Sequence, residues 1–551
     1  MVGSLNTATG FLFSILAGNG INSGIILQSR YMEERTAGKT PSEAALAAAS
    51  ATWRPTLFAS LAAACAYGAL GATSFRVFRQ FGFIGSAGMI LCCLATYASL
   101  PPLMVLLEKL WPIHQPFWRR KRIAKVPVAT VTHFEWPFLA ILSSRARARA
   151  IAVGGMILAV AGLVATAAYL EGDPLEYNLR HLENDRSQTK ELYRLSSLAL
   201  SIVGARTEGS MIVLADRLDQ VPALVKALRD RRDAAPPAEK PFQEVHSLLD
   251  LVPAGQEEKL VFLQQIRRRL EKFHTQGFVS DEEWKNAEPL LPPPDLKPFT
   301  VDELPLSVRR PFTEKDGTVG RIVYVEPKAG QSDVNLHYLL RWAAAFRATT
   351  LPGGEVIHGS GRAVIYADLV AAVISNGPVA LMLSLLLTGG LLSVTLGRRR
   401  QGWLVLAALS IGLAWLGGLL WLGQVRIHFV NFIALPITFG IAADYALNVM
   451  ARYQDAGSGG RGITHALRGA AGPVILCSLT TTLGYLALLK SRNQAVCSLG
   501  LIAVFGEVTC LLAAVLILPA WLVWRQGWDA DPLAITDLGS AMPPRLDQGQ
   551  G

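Results

Sequence analysis

The chain has 551 residues, 51% of them hydrophobic, and a formal net charge of +10. That apolar fraction, gathered into long runs, excludes an ordinary soluble globular protein and points to helical membrane spans. The basic excess lies beside the runs, so it speaks for membrane topology and against a nucleic-acid partner.

In chain order, Met1-Val-Gly-Ser-Leu-Asn6 leads into the first apolar run without the basic n-region of a signal peptide. Nine candidate spans follow, at 8–29, 55–73, 82–108, 150–170, 367–390, 402–422, 428–450, 472–490 and 496–524. The third and ninth are long enough to tilt or to project beyond the bilayer. Between the first two spans, Gly38-Lys39-Thr40 has the form of a P-loop tail, but Glu33 stands where that loop requires glycine. Residues 112–149 form a basic linker carrying Arg119, Arg120, Lys121, Arg122, Arg145, Arg147 and Arg149. Within it, 115–149 interleaves these with Phe117, Trp118, Phe134, Trp136 and Phe138, the composition of a segment lying on the inner leaflet; a plain basic linker is the alternative.

Residues 171–366 are the only large polar region. Strands are expected at 209–216 and 320–326, amphipathic helices at 217–232, 256–273 and 334–348, and a proline-rich connector at 290–305. This alternation predicts one extracytoplasmic α+β domain. Further along, Arg398, Arg399 and Arg400, then Arg452, Arg461 and Arg468, fall on the same side as the 112–149 segment if nine spans are correct. That side is expected to be cytoplasmic, with the N-terminus outside and the C-terminus inside. The six cysteines, Cys65, Cys92, Cys93, Cys477, Cys497 and Cys510, all fall in or beside apolar runs, which excludes a disulfide framework in the polar region; no CxxC metal pair occurs.

Part of the chain is written twice. Gly18, Asn22, Ser23, Arg30 and Tyr31 map onto Gly440, Asp444, Tyr445, Arg452 and Tyr453 at an offset of 422. At an offset of 418, Pro55, Ser60, Leu61, Tyr67, Gly82, Gly88, Leu100 and Pro101 map onto Pro473, Ser478, Leu479, Tyr485, Gly500, Gly506, Leu518 and Pro519. The offset changes inside a loop, where length changes are tolerated. Three consecutive spans thus recur in parallel, as in transporters with a site at the repeat interface. The expected organisation is 1–111, the last three spans of a first repeat; 112–149, the linker; 150–170, the leading span of a second repeat; 171–366, the outer domain; 367–524, a five-span bundle; and 525–551, a cytoplasmic tail. The first repeat lacks the leading span, outer domain and two further spans that its counterpart has, which predicts a fragment, a split gene or an upstream start.

The layout resembles the resistance–nodulation–division (RND) superfamily, in which a unit of one span, a large outer domain and five spans is duplicated. Val430-Asn431 through Pro436, Gly440-x-x-x-Asp444-Tyr445 and Arg452-Tyr453 resemble its fourth-span pattern, and Ser478-Leu479-Thr480-Thr481-Thr482-x-Gly484-Tyr485 the span after it. Leu518-Pro519 is similar to the end of its last span. The Asp-Tyr pair and short loops are similar to the MMPL branch, and Val252-Pro-Ala-Gly-Gln256-Glu-Glu-Lys259-Leu resembles its hopanoid-exporter-like group. The resemblance implies a polytopic helical protein of the bacterial inner membrane that exports a hydrophobic or lipid-like substrate, driven by protons, with no cofactor and no enzymatic activity. It leaves open a homo-oligomer or a separately encoded N-terminal half as partner.

Asp444 is the centre of any mechanism, because an acid inside a membrane is costly and by default functional. Burial disfavours the charged form of a carboxylate, so such a group can exchange protons and bias two conformations; the alternative is an inert protonated acid. Gly440, Asp444 and Asn448 share a helix face, Gly440 allowing close approach of another helix and Tyr445 positioning the carboxylate. Ser478, Thr480, Thr481 and Thr482 are its expected hydroxyl partners, against the alternative that they bond back to their own helix. In the first repeat Ser60 is kept, while Ala62, Ala63 and Ala64 replace the threonines and Asn22 the acid. Asn22 cannot titrate and, like Asn448, is expected only to pack. Glu507, where the first repeat has Met89, either joins a relay or packs. His428 and His358 are expected to be structural, and His246 and Lys259 lack an evident catalytic partner. No HExxH or GxSxG appears, so a membrane enzyme is disfavoured. A non-transporting sensor or scaffold of the sterol-sensing kind, or a non-functional truncation, remain the competing readings.

Overall fold

The computed structural model describes residues 7–110, 142, 144–184, 191–192, 194–195, 198, 211–237, 239–293, 295–328, 335–395, 399–455 and 460–526. The expected interfacial stretch therefore lies outside the described residues as far as 141, and the tail beyond 526. The chain divides into two compact units, one of residues 1–176, 181–186 and 369–551, the other of 177–180 and 187–368.

The first unit opens with α1 (Thr7–Gly20) and α2 (Asn22–Thr36), one apolar run interrupted at Ile21. Helix α3 (Pro41–Gly68) begins with a capping box: the Glu43 N–H donates to Thr40 Oγ1 and the Glu43 carboxylate accepts from the Thr40 N–H. The segment that imitated a P-loop tail is thus a helix start. Then come α4 (Arg76–Leu110) and α5 (Arg145–Glu171).

The second unit contains β1 (Met211–Leu214), α6 (Val221–Ala234), β2 (Val245–Ser247), α7 (Gln256–Thr275), α8 (Asp281–Ala287), β3 (Ile322–Val325), α9 (Leu336–Phe346), β4 (Ala348–Thr350) and β5 (Val356–Ser360). The strands form one antiparallel sheet in the order β2-β3-β1-β5-β4. Alternation along β1 and β3 turns Met211, Val213, Val323 and Val325 to the core, where α6 supplies Leu224 and Leu228 and α9 supplies Leu339, Trp342 and Phe346. Asn335 caps α9 by accepting from the His337 and Tyr338 N–H groups. This is the expected α+β layer pair. Strands β2, β4 and β5 were not foreseen: Val-His-Ser, Ala-Thr-Thr and Val-Ile-His-Gly-Ser carry no apolar run like those of β1 and β3. Helix α7 forms where an amphipathic helix was expected, yet none of its residues is buried, so its apolar side, including Phe262 and Ile266, faces outward.

Helix α10 (Arg362–Thr395) returns the chain to the first unit, followed by α11 (Arg399–Leu422), α12 (Ala434–Asp455), α13 (Gly460–Leu488), α14 (Gln494–Leu512) and, after a π-helical turn, α15 (Leu518–Gln526). Among the described residues nine helical stretches are long and apolar enough to cross a membrane. Several overrun the expected limits. The first continues to Thr36 and the second starts at Pro41, because alanine, glutamate and arginine sustain a helix past the end of the apolar run.

The repeat governs the packing of these helices. A Cβ on Gly440 would lie 2.7 Å from Ala63 Cα, and one on Gly18 would lie 3.3 Å from Thr481 Cα. The two offsets carry Gly18 to Gly440 and Ala63 to Thr481, so each crossing is the image of the other. Gly82 meets the Tyr67 carbonyl as Gly500 meets that of Tyr485, and Gly88 meets Leu16 as Gly506 meets Thr438. Reciprocal contacts of this kind define a pseudo-twofold axis between α1–α2 of the first repeat and α12 of the second. Small residues at the crossings let the backbones approach closely, which is how helices associate where lipid supplies no hydrophobic drive.

Three stability outcomes follow. Gly440→Leu forces the α12–α3 crossing apart and is expected to cost about 1–3 kcal/mol, read as a lower unfolding midpoint in detergent. Gly154→Leu, on α5 with nothing within 4 Å of its Cβ position, stays within about 0.5 kcal/mol of the parent. In the second unit, Trp342→Ala removes a fully buried ring and costs about 3–5 kcal/mol by the same measurement.

Candidate functional site

Asp444 sits on α12 at the pseudo-twofold axis. Its Oδ2 accepts from Asn22 Nδ2 at 3.3 Å, and its Oδ1 from Asn448 Nδ2 at 2.6 Å. Asn448 also donates to the Asp444 backbone carbonyl at 2.9 Å, as i, i+4 neighbours on one helix face can. Asn22 is the repeat counterpart of Asp444, and it faces the acid because equivalent residues beside a twofold axis face each other. Among the described residues no Lys, Arg or His pairs with this carboxylate. It is held by neutral amides alone.

This corrects two expectations. Asn22 and Asn448 do more than pack: they are the donors to Asp444. The threonines do not reach it. Thr480 Oγ1 bonds back to the Cys477 carbonyl at 2.8 Å, and Thr481 Oγ1 donates across the repeats to the Gly18 carbonyl at 3.3 Å. Thr482 is half-buried and makes no hydrogen bond to Asp444. The helical turn that points Ser478 and Thr481 inward rotates Thr480 and Thr482 away. Gly440 lies at the close crossing expected of it.

One residue along, Tyr445 takes a different partner. Its phenol donates to Glu507 Oε1 on α14, and Glu507 is 1% exposed. Ser478 lies beside the same carboxyl, whose other oxygen, Oε2, is buried without a partner among the described residues. Because Tyr445 follows Asp444 in the chain, its bond to Glu507 brings the two acids into one site. Thus Tyr445 positions Glu507 rather than Asp444, and Ser478 belongs to Glu507. The site holds two acids with separate neutral partners. An amide suits such a place: its NH2 donates to an ionised carboxylate and, turned over, its oxygen accepts from a protonated one.

Two clusters on the same axis escaped the sequence reading. Asn19 Nδ2 lies 3.4 Å from both Tyr67 Oη and Tyr485 Oη, the counterpart tyrosines of the two repeats. Glu33 accepts from Arg30 at 2.8 Å and from Arg452 at 3.1 Å, again a counterpart pair. The offsets carried the signal: each paired residue maps onto its twin. What no offset gives is the single axial residue, Asn19 or Glu33, that both twins reach.

The histidines fall as follows. His428 Nδ1 accepts from the Val430 and Asn431 N–H groups, a structural role. His358 is exposed on β5. His246 gains partners through the pairing of β2 with β3: Glu326 at 3.0 Å and Glu244 at 3.5 Å, the three ligand-type atoms lying within 4.8 Å of one another. Partly exposed, and with the His246 Nε2 already in hydrogen-bond contact with Glu326, the cluster is accounted for as a side-chain contact between paired strands.

The chain matches the model of the MMPL family over residues 1–164 and 276–534. It is 24% identical to the hopanoid transporter HpnN of Burkholderia multivorans and 24% identical to that of Rhodopseudomonas palustris, each over 94% of this chain. It spans 61% of the length of those curated relatives. Among solved structures it is similar to SecDF, a translocon-associated membrane protein of Thermus thermophilus, at a TM-score of 0.51 and 13% identity, covering 93% of this chain and 54% of that one. It is also similar to the hedgehog release protein Disp of the water bear Hypsibius dujardini, at a TM-score of 0.54 and 12% identity, covering 94% of this chain and 63% of that one. These last two likenesses speak for the fold alone. This multi-pass membrane chain belongs to the MMPL family, the branch of the RND superfamily that its sequence resembles.

Proposed function

We propose that the chain takes part in proton-driven export of a hydrophobic or lipid-like substrate across a bacterial inner membrane, with Asp444 as the coupling group. The observation that carries this reading is the Asn22–Asp444 pair. A carboxylate at the contact of two repeats, held only by neutral amides, can lose its charge without leaving a buried cation unpaired. Protonation changes the hydrogen bond that links the repeats, and a change at that one contact biases two arrangements of the bundle. Glu507 and Tyr445 form a second neutralisable pair beside it. The substrate class rests on the curated relatives, which are named transporters of hopanoids. In this reading the N-terminus faces outward, the C-terminus faces the cytoplasm, and the sheet-containing unit lies outside.

In proteoliposomes with an imposed pH gradient, Asp444→Asn keeps the shape of the side chain and removes its titration. Proton-driven export of a fluorescent or radiolabelled hopanoid-like lipid is expected to fall to the passive leak. Unchanged, pH-gradient-dependent export by this variant would overturn the reading, and no export by the parent chain would favour a sensor or scaffold. Asn22→Leu removes the cross-repeat donor while keeping Asp444. It is expected to weaken the dependence of export on the pH gradient without abolishing surface expression, measured in the same vesicles.

A further inference from the structure

Helices α3 and α4 leave a groove of about 550 Å3 between them, and none of its lining residues belongs to the Asp444 site. Its size is that of a small-molecule site. Ala45, 4% exposed, lies at the bottom, and Ala49 one turn on keeps the same face small. Leu46 and Leu106, 74% and 52% exposed, stand at the rims. Tyr97 lines the far end, its phenol held by Thr52 and Thr56 at 2.9 and 3.0 Å. Along α4 the groove runs from Tyr97 to Lys109, about 18 Å at the rise of a helix and roughly the depth of one leaflet of a ~30 Å hydrocarbon core. At the offset of 418, Ile463 and Leu467 stand in place of the two alanines and Gly527 in place of Lys109. The small floor and the terminal cation therefore belong to the first repeat alone.

Apolar along its length, the groove ends in charge. Lys109, the last residue but one of α4, lines it together with Ser42, where the span reaches the membrane surface. The neighbouring acids are turned elsewhere. Glu108 takes Tyr31 and Arg35 as partners, and Glu43 accepts from the Thr40 N–H; neither lines the groove. Lys109 has no ion-pair partner among the described residues. A free anion would leave the apolar length empty, and a neutral hydrocarbon would leave Lys109 without a counter-charge. An amphiphile with one anionic head and a long chain matches both. We propose that the α3–α4 groove binds one anionic phospholipid, with its phosphate on Lys109 and Ser42 and one acyl chain laid over Ala45 and Ala49 as far as Tyr97. The lipid is a resident of the protein and not its cargo, so the proposal goes beyond the coupling reading and does not depend on it. The floor belongs to the cluster that joins Leu27 and Tyr31 of α2 to Met104 of α4, so the bound chain braces the first repeat.

Native mass spectrometry of the delipidated full chain, re-exposed to phosphatidylglycerol or to phosphatidylcholine with the same acyl chains, reads the retention of each lipid. The parent is expected to retain phosphatidylglycerol about fivefold better, the worth of one lysine beside an anionic headgroup. Lys109→Gln, a change at an exposed side chain, is expected to bring that preference close to one. Ala49→Leu fills the floor and is expected to remove the bound lipid. Phosphatidylglycerol with a photoreactive diazirine on its acyl chain is expected to label residues 42–49 and 97–109. Equal retention of the two lipids by the parent would overturn the proposal, as would a preference unchanged by Lys109→Gln. Labelling confined to other helices would overturn the site, and this readout needs no variant. Displacement of the lipid by glycerol phosphate would show that the headgroup alone is bound. Displacement by a neutral hopanoid-like lipid would make the groove a cargo path. Either result would contradict the proposal.

Discussion

An acid at the contact of two membrane repeats can be kept only if its surroundings accept both of its charge states. Here that condition is met by geometry. Two parallel copies of three spans cross reciprocally at Gly18 and Gly440, close enough that a side chain at the second would collide with Ala63. The crossing brings counterpart positions face to face, and at one such position the chain has Asp444 opposite Asn22. A second carboxylate in place of Asn22 would give two like charges sharing one site, and a lysine or arginine would hold Asp444 permanently ionised. The amide does neither.

The asymmetry extends beyond this pair. Met89, Ser23 and Ile26 occupy the places of Glu507, Tyr445 and Asn448, so one repeat carries both acids of the site with Tyr445 and Asn448, while the other contributes Asn22. Where the twins are kept, as with Tyr67 and Tyr485 or Arg30 and Arg452, they converge on one axial residue, Asn19 or Glu33. Symmetry of the backbone and asymmetry of the polar groups thus act together. The backbone builds an axis, and single substitutions on it decide where charge can appear.

Much of this was legible in the sequence. The offsets of 422 and 418 named the residues that lie at equivalent places, and the cost of an intramembrane acid singled out Asp444. Hydropathy found the spans but not their ends, because Glu33, Glu34 and Arg35 carry the first helix past its apolar run, held by ion pairs to Arg30, Arg452 and Glu108. The partner of Asp444 was misread for a chemical reason: hydroxyls look like proton carriers and asparagine looks inert. Which face of α13 a threonine occupies depends on helix rotation, and Thr480 turns back to its own carbonyls. The Tyr445–Glu507 bond joins residues 62 positions apart with no linear pattern. In the second unit β1 and β3 were visible as apolar runs, whereas β2, β4 and β5 carry polar residues in place of such a run.

The central claim is that Asp444 gains and loses a proton while the bundle around it stays folded. Infrared difference spectroscopy on the full chain in lipid, recorded across a pH titration, observes that event through the carbonyl stretch of a protonated carboxylic acid. A buried-acid band should grow as pH falls and be absent from the Asp444→Asn variant, with any Glu507 band remaining. A pH-dependent band identical in the parent and the Asp444→Asn variant would contradict the account.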